Sequence, residues 1–214
     1  YGAHSHATGT DDSEVHFFDP RAMADGRLLV RVQPFEAPEL GGQLLTIDIA
    51  NYVEDAQPTL PNRGVLTGPA QVPATSNDVR TIDGPSPGGR YLAGFPLRDG
   101  TGRLLLTWTQ CRLLENTQIV PCTPDRLAAT TVALAPPLYG VWIYDPASST
   151  QLPVTSPVEG TVYSEVVALQ SLPPPPVLLD RVAGVDYDAE LEAEGVGIVD
   201  VRSVYDIAGA DTAF

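Results

Sequence analysis

The sequence predicts an all-β fold built from short antiparallel strands, arranged as about three blades of an incomplete β-propeller and followed by the start of a second β-rich domain. Two observations carry this. One strand-and-turn pattern occurs twice, incompletely: a Pro/Gly turn, an apolar strand, a Gly-rich turn, and a second strand. The composition also suits strands and turns, with 21 Pro and 19 Gly in 214 residues, residues that punctuate strands and break helices. Repetition of short strands at a set spacing is the mark of radial β architectures, in which chemistry resides in loops or attached domains.

The weaker copy opens at Ala24-Asp25-Gly26-Arg27, continues through a strand over residues 28–32, turns at Leu40-Gly41-Gly42-Gln43, and returns over residues 44–49. Leu28, Val30 and Val32 share one face, as do Leu45, Ile47 and Ile49, which predicts a half-buried antiparallel pair. Residues 54–86, rich in Pro, Thr, Asn and Gly, read as a long excursion between blades. The clearer copy has Pro87-Gly88-Gly89-Arg90, a strand over 91–97, the turn Asp99-Gly100-Thr101-Gly102, and a strand over 103–111. Tyr91 and Trp108 are expected to pack between blades. After an insertion, residues 138–145 form the most strand-like run in the chain. A turn at 146–150 and a strand from Gln151 follow, a strand-turn-strand that resembles the outer pair of a TolB-like blade. Residues 163–169 predict another strand. Four consecutive prolines, Pro173 to Pro176, form a stiff spacer. They divide a propeller segment (1–176) from a linker and second domain (177–214). In the latter, the acidic run 186–195 reads as a solvated turn or short helix, and 197–205 as a strand.

Charge narrows the function classes. The net charge is −15, and all twelve basic residues are arginine. No basic stripe exists to neutralise phosphates, so nucleic acid is not an expected partner. No apolar stretch reaches the roughly 20 residues of a membrane-spanning helix. The abrupt ends, at Tyr1 and Phe214, read as cuts from a longer chain.

Candidate site residues are few. His4 and His6, spaced i, i+2, would share a strand face and could ligate a metal together with Asp11, Asp12 or Glu14; a polar loop is the plainer reading. Cys111 and Cys122 flank an insertion. A disulfide is the first reading and implies an oxidising compartment, two free thiols the second, and metal ligation the third. No C-x-x-C-H haem-attachment motif occurs, and no hydrolase, nucleotide-binding or zinc-protease motif is complete.

Four segments together resemble the hydrazine synthase α-subunit family: residues 4–11 (HSHATGTD), 42–52 (GQLLTIDIANY), 85–113 (PSPGGRYLAGFPLRDGTGRLLLTWTQCRL) and 195–206 (GVGIVDVRSVYD). The resemblance implies late propeller blades followed by the opening of a middle domain. Haem c would be attached further along a parent chain, and zinc is a further candidate cofactor. It implies a periplasmic or extracellular multihaem oxidoreductase, with the propeller shaping a pocket and docking protein subunits or a redox partner. In that family nitric oxide and ammonium are joined at a haem centre. No catalytic residue transfers by position, and this segment is not expected to be catalytic alone; His4, His6 and Cys111 stay as metal-ligand candidates. The alternative is a non-enzymatic TolB-like propeller serving protein–protein interaction at the cell envelope.

Overall fold

The computed structural model describes residues 15–34, 40–81, 84–129, 132–171 and 188–196. The chain divides into two compact units, one up to Gln170 and one from Ser171.

The first unit is all-β. Strand β1 (Val15–Ala22) pairs with β2 (Leu28–Pro34), β2 with β3 (Gln43–Ile47), and β3 with β6 (Gln71–Pro73), every pair antiparallel. The second four-stranded sheet repeats this meander. In it β7 (Arg90–Pro96) pairs with β8 (Leu104–Thr109), β8 with β12 (Gly140–Asp145), and β12 with β13 (Thr150–Pro153). A small hairpin, β4 (Tyr52–Glu54) and β5 (Gln57–Pro58), stands beside the first sheet's sequence. Between β8 and β12 the chain inserts a three-stranded sheet in the order β10 (Gln118–Pro121), β9 (Arg112–Glu115), β11 (Ala133–Leu134), with a one-turn helix α1 (Pro124–Leu127). Six strands end on proline: Pro34, Pro58, Pro73, Pro96, Pro121 and Pro153. Each such residue lacks the N–H that would add another ladder bond.

The two four-stranded sheets pack face to face. Leu29 and Leu44 from the first sheet meet Tyr91, Leu104, Leu106 and Tyr144 from the second, all buried, with Val79 from the connecting loop. Gly94 leaves room for this contact: a Cβ there would sit 2.9 Å from Leu44 Cδ1 and 3.1 Å from Leu29 Cδ2. The sheets are also stitched by backbone. Gly42 N–H donates to Tyr91 O, and Tyr91 N–H donates to Gly42 O, both at 2.8 Å. The Tyr91 hydroxyl donates to Thr75 Oγ1 (3.0 Å) and accepts from Asn77 Nδ2 (2.7 Å). Burial pushes its ionisation up to about 12.

Three expectations are corrected here. The β2–β3 pair is not half-buried. Leu29 and Leu44 face the second sheet while Val15, Val30, Val32, Leu45 and Ile47 form a second buried cluster on the opposite side. Residues 54–86 are not only an excursion, because they contain β6, the strand that completes the first sheet. Residues 163–169 are not a strand: this stretch has no ladder partner, and side chains hold it instead. Arg21 pairs with Glu165 at 2.7 Å, and the Gln170 amide spans Arg98 N and Pro96 O. Four-stranded sheets therefore number two among the described residues, against about three blades expected.

In the second unit, the described residues form a short exposed helix, α2 (Ala189–Ala193). It falls within the acidic run read as a turn or short helix. The strand expected over 197–205 lies outside the described residues.

Candidate functional site

The insertion and the second sheet together build a cleft. β8 brings Trp108 to its end, and the antiparallel ladder sets Gly140 opposite it and Trp142 opposite Leu106. Trp108 and Trp142 therefore lie on one face, and their rings meet edge to face with centroids 5.1 Å apart, a favoured aromatic geometry. The Trp108 indole N–H donates to Gly88 O at 2.9 Å. That approach depends on Gly89, which has φ +75° and where a Cβ would lie 2.0 Å from Thr109 O and 2.7 Å from Trp108 Nε1. Trp142 Nε1 is buried without a hydrogen-bond partner. Pro157 lies close by: a Cβ on Gly140 would be 3.2 Å from Pro157 and 3.3 Å from Trp142 Nε1.

The facing wall is the insertion. Immediately after β8 the chain reaches Cys111, bonded to Cys122 beyond β10, with Cα atoms 5.6 Å apart. The closed loop holds a tight hairpin whose two turn residues, Asn116 (φ 48°) and Thr117 (φ 68°), are both left-handed, as a type I′ turn requires. β10 is an edge strand, paired with β9 alone. Arg126 adds further ties, from Nε to Glu115 (3.2 Å) and from Nη1 to Pro121 O (3.4 Å). Ile119, Val120, Pro121, Leu138 and Pro157 join the two tryptophans around a cleft of about 460 Å³. Arg112, also at the cleft, is held by Pro136 O (3.0 Å) and by an ion pair with Glu159. A second cavity, beside Ser86 and Arg90, holds only about 30 Å³, room for a single water.

The residues singled out from sequence fare unevenly. His4 and His6 lie outside the described residues. Cys111 is removed as a thiolate ligand, because its sulfur is shared with Cys122. Among the described residues no group of three His, Cys, Asp or Glu side chains is placed to hold a metal ion. No described helix is long and apolar enough to cross a membrane. Sequence reasoning missed the Trp108–Trp142 pair. The two residues sit on strands separated by the whole insertion, and only the alternation of β12 gave a sign that Trp142 and Tyr144 would share a face.

No protein-family model matches the chain, and neither a characterised protein nor a solved structure matches it.

Proposed function

We propose that residues 15–170 are successive blades of a TolB-like β-propeller in an exported protein, and that the segment is a scaffold that shapes a pocket and docks protein partners. One observation carries this reading: two consecutive four-stranded antiparallel meanders stack face to face through a shared apolar core. Blades of a propeller are meanders of this size, packed in this way. The Cys111–Cys122 disulfide supports export, since cytosolic thiols are kept reduced.

The resemblance to the hydrazine synthase α-subunit family supports a narrower form. In it the parent is a periplasmic haem c oxidoreductase whose haems are attached outside this sequence, with zinc as a further cofactor, and this segment is not catalytic alone. A second reading, a non-enzymatic propeller for protein interaction at the cell envelope, is favoured by a different observation. Along and after the edge strand β13, the side chains of Leu152, Val154, Val158 and Val162 are each at least half exposed. Exposed apolar residues mark an interaction surface where they form one patch.

The test is to express the full-length parent in a periplasmic host with c-type haem maturation, then stain for haem and record its absorption spectrum. Covalent haem with a Soret band supports the oxidoreductase form. A folded, exported parent without haem refutes that form and leaves envelope interaction, to be checked by affinity capture in which charged substitutions at Leu152 and Val154 abolish recovery of the partner.

A further inference from the structure

We infer that the cleft between the Trp108–Trp142 pair and the disulfide-closed hairpin is a binding site for a neutral, flat, apolar small molecule. This inference rests on neither the propeller nor the haem reading.

The size of the cleft, about 460 Å³, falls within the range of small-molecule sites, which is roughly 300–1,000 Å³. Its walls determine the chemistry. Two indole rings form one side, and mostly apolar side chains such as Ile119, Val120 and Leu138 line the remainder, with Gln110 and Arg112 as its polar members. The charged group and both indole N–H groups are already committed or covered, leaving the uncharged Gln110 amide as the polar side chain a ligand can meet. Trp108 Nε1 is bonded to Gly88 O, Trp142 Nε1 is out of reach of solvent, and the Arg112 charge is met by Glu159 and Pro136 O. The lining therefore offers no free charge to a ligand, and the chain's net charge of −15 repels anions. A neutral ligand is the complement of such a site. Flatness follows from the tryptophans, whose rings bind planar or apolar partners by stacking and edge contact.

Two features keep the cleft from closing. β10 has no ladder partner on its outer edge. Its position relative to the tryptophans is fixed instead by the Cys111–Cys122 bond and by Arg126. Water in such a space makes few hydrogen bonds, and displacing it with an apolar group is favourable. The disulfide is thus a wall support, and its integrity sets the affinity.

The test uses the full chain and the uncharged fluorophore N-phenyl-1-naphthylamine. The two tryptophans are the only ones in the chain, so their quenching by energy transfer reports probe bound to the chain, and the I119E variant assigns it to the cleft. Saturable binding with tryptophan quenching is expected. Ile119 is about half exposed on an edge strand, so I119E should fold, a point checked by near-ultraviolet circular dichroism. A charge on the cleft wall, covered by an apolar ligand, should weaken binding by at least about tenfold. L60E, at an exposed leucine outside the cleft, should bind as the wild type does. Dithiothreitol, giving two electrons and two protons to the disulfide and forming its own cyclic disulfide, should weaken binding in the wild type. This reduction arm also stands alone if I119E misfolds. Absence of saturable binding, equal affinity in I119E and L60E, or binding unaffected by complete reduction would each overturn the inference.

Discussion

Replacing Gly42 by alanine tests the stitching of the two sheets. A Cβ at this position would lie 1.8 Å from Val32 O and 2.8 Å from Gln33 Cα, both backbone atoms that cannot rotate away. Relief requires the start of β3 to move by more than an ångström, and the reciprocal 2.8 Å bonds between Gly42 and Tyr91 cannot survive that shift. Each buried backbone group left without a partner costs roughly 1–3 kcal/mol, so the two lost bonds and the disturbed packing give a destabilisation of about 3–5 kcal/mol. For a chain of this size that lowers the melting temperature by about 10 °C. Gly26→Ala is the control. Gly26 has φ +86° but nothing within 4 Å of an added Cβ, so only the left-handed backbone cost of roughly 1–2 kcal/mol applies. The assay is thermal unfolding of both variants by circular dichroism, followed in parallel by tryptophan emission. If the Gly42→Ala protein melts within about 2 °C of the Gly26→Ala protein, the Gly42–Tyr91 stitch does not hold the sheets together, and the reasoning fails.

Other outcomes are expected. Replacing both Cys111 and Cys122 by alanine removes closure of a loop with separation 11 and should destabilise the insertion by about 3 kcal/mol, seen as faster amide exchange in β9 and β10 than in β8. Thr117→Gly relieves a β-branched residue at φ 68° and should stabilise the hairpin by about 0.5–1 kcal/mol, measurable by urea unfolding. Asp99 is held down to about 2 by hydrogen bonds from the Thr101 hydroxyl and N–H and from Arg103. Since its folded pKa is the lower one, its contribution to stability is present above about 4 and is lost as pH falls towards 2; carbon-13 NMR titration should give the low midpoint. Tyr91 has the opposite sign: raised to about 12 by burial, it contributes stability below pH 10 that is lost as pH rises to 12, and ultraviolet titration of the wild type against Tyr91→Phe should show a component with that late midpoint missing from the variant.

Much of the strand content was legible from the sequence, and the reasons are specific. Residues 28–32 and 140–145 are short apolar runs rich in β-branched and aromatic residues, and the turns at Asp25-Gly26 and Asp99-Gly100 carry glycines at φ +86° and +79°, so strands and turns followed from local chemistry. β6 was hidden because three residues, Gln71–Pro73, are too few to show a period. Residues 163–169 have the apolar content of a strand but no partner to pair with, and pairing is a tertiary property. The burial of both faces of β2 and β3 was also illegible. Val30 and Leu29 are equally apolar, and the pattern reports one face only when the other meets water. The cysteine pairing was among the readings the spacing allowed, whereas the cleft was not. Its two tryptophans meet through the β8–β12 ladder across an insertion of unrelated sequence, which no local window contains.

The prolines that end six strands have a consequence for how this protein can change length. At Pro73, Pro96 and Pro153 the backbone bonds resume with the next residue, from Ala74 N to Leu44 O, Leu97 N to Arg103 O and Val154 N to Val141 O. A residue added inside such a strand would slide the proline into a donating position it cannot fill, so it cannot be taken up by moving the pairing one step. It must be expelled as a bulge or into a turn. Insertions are therefore directed to the connections, and the stretch between β8 and β12 has absorbed one large enough to form its own sheet. Variation in length among descendants of this chain should gather there and leave the two larger sheets unchanged in register.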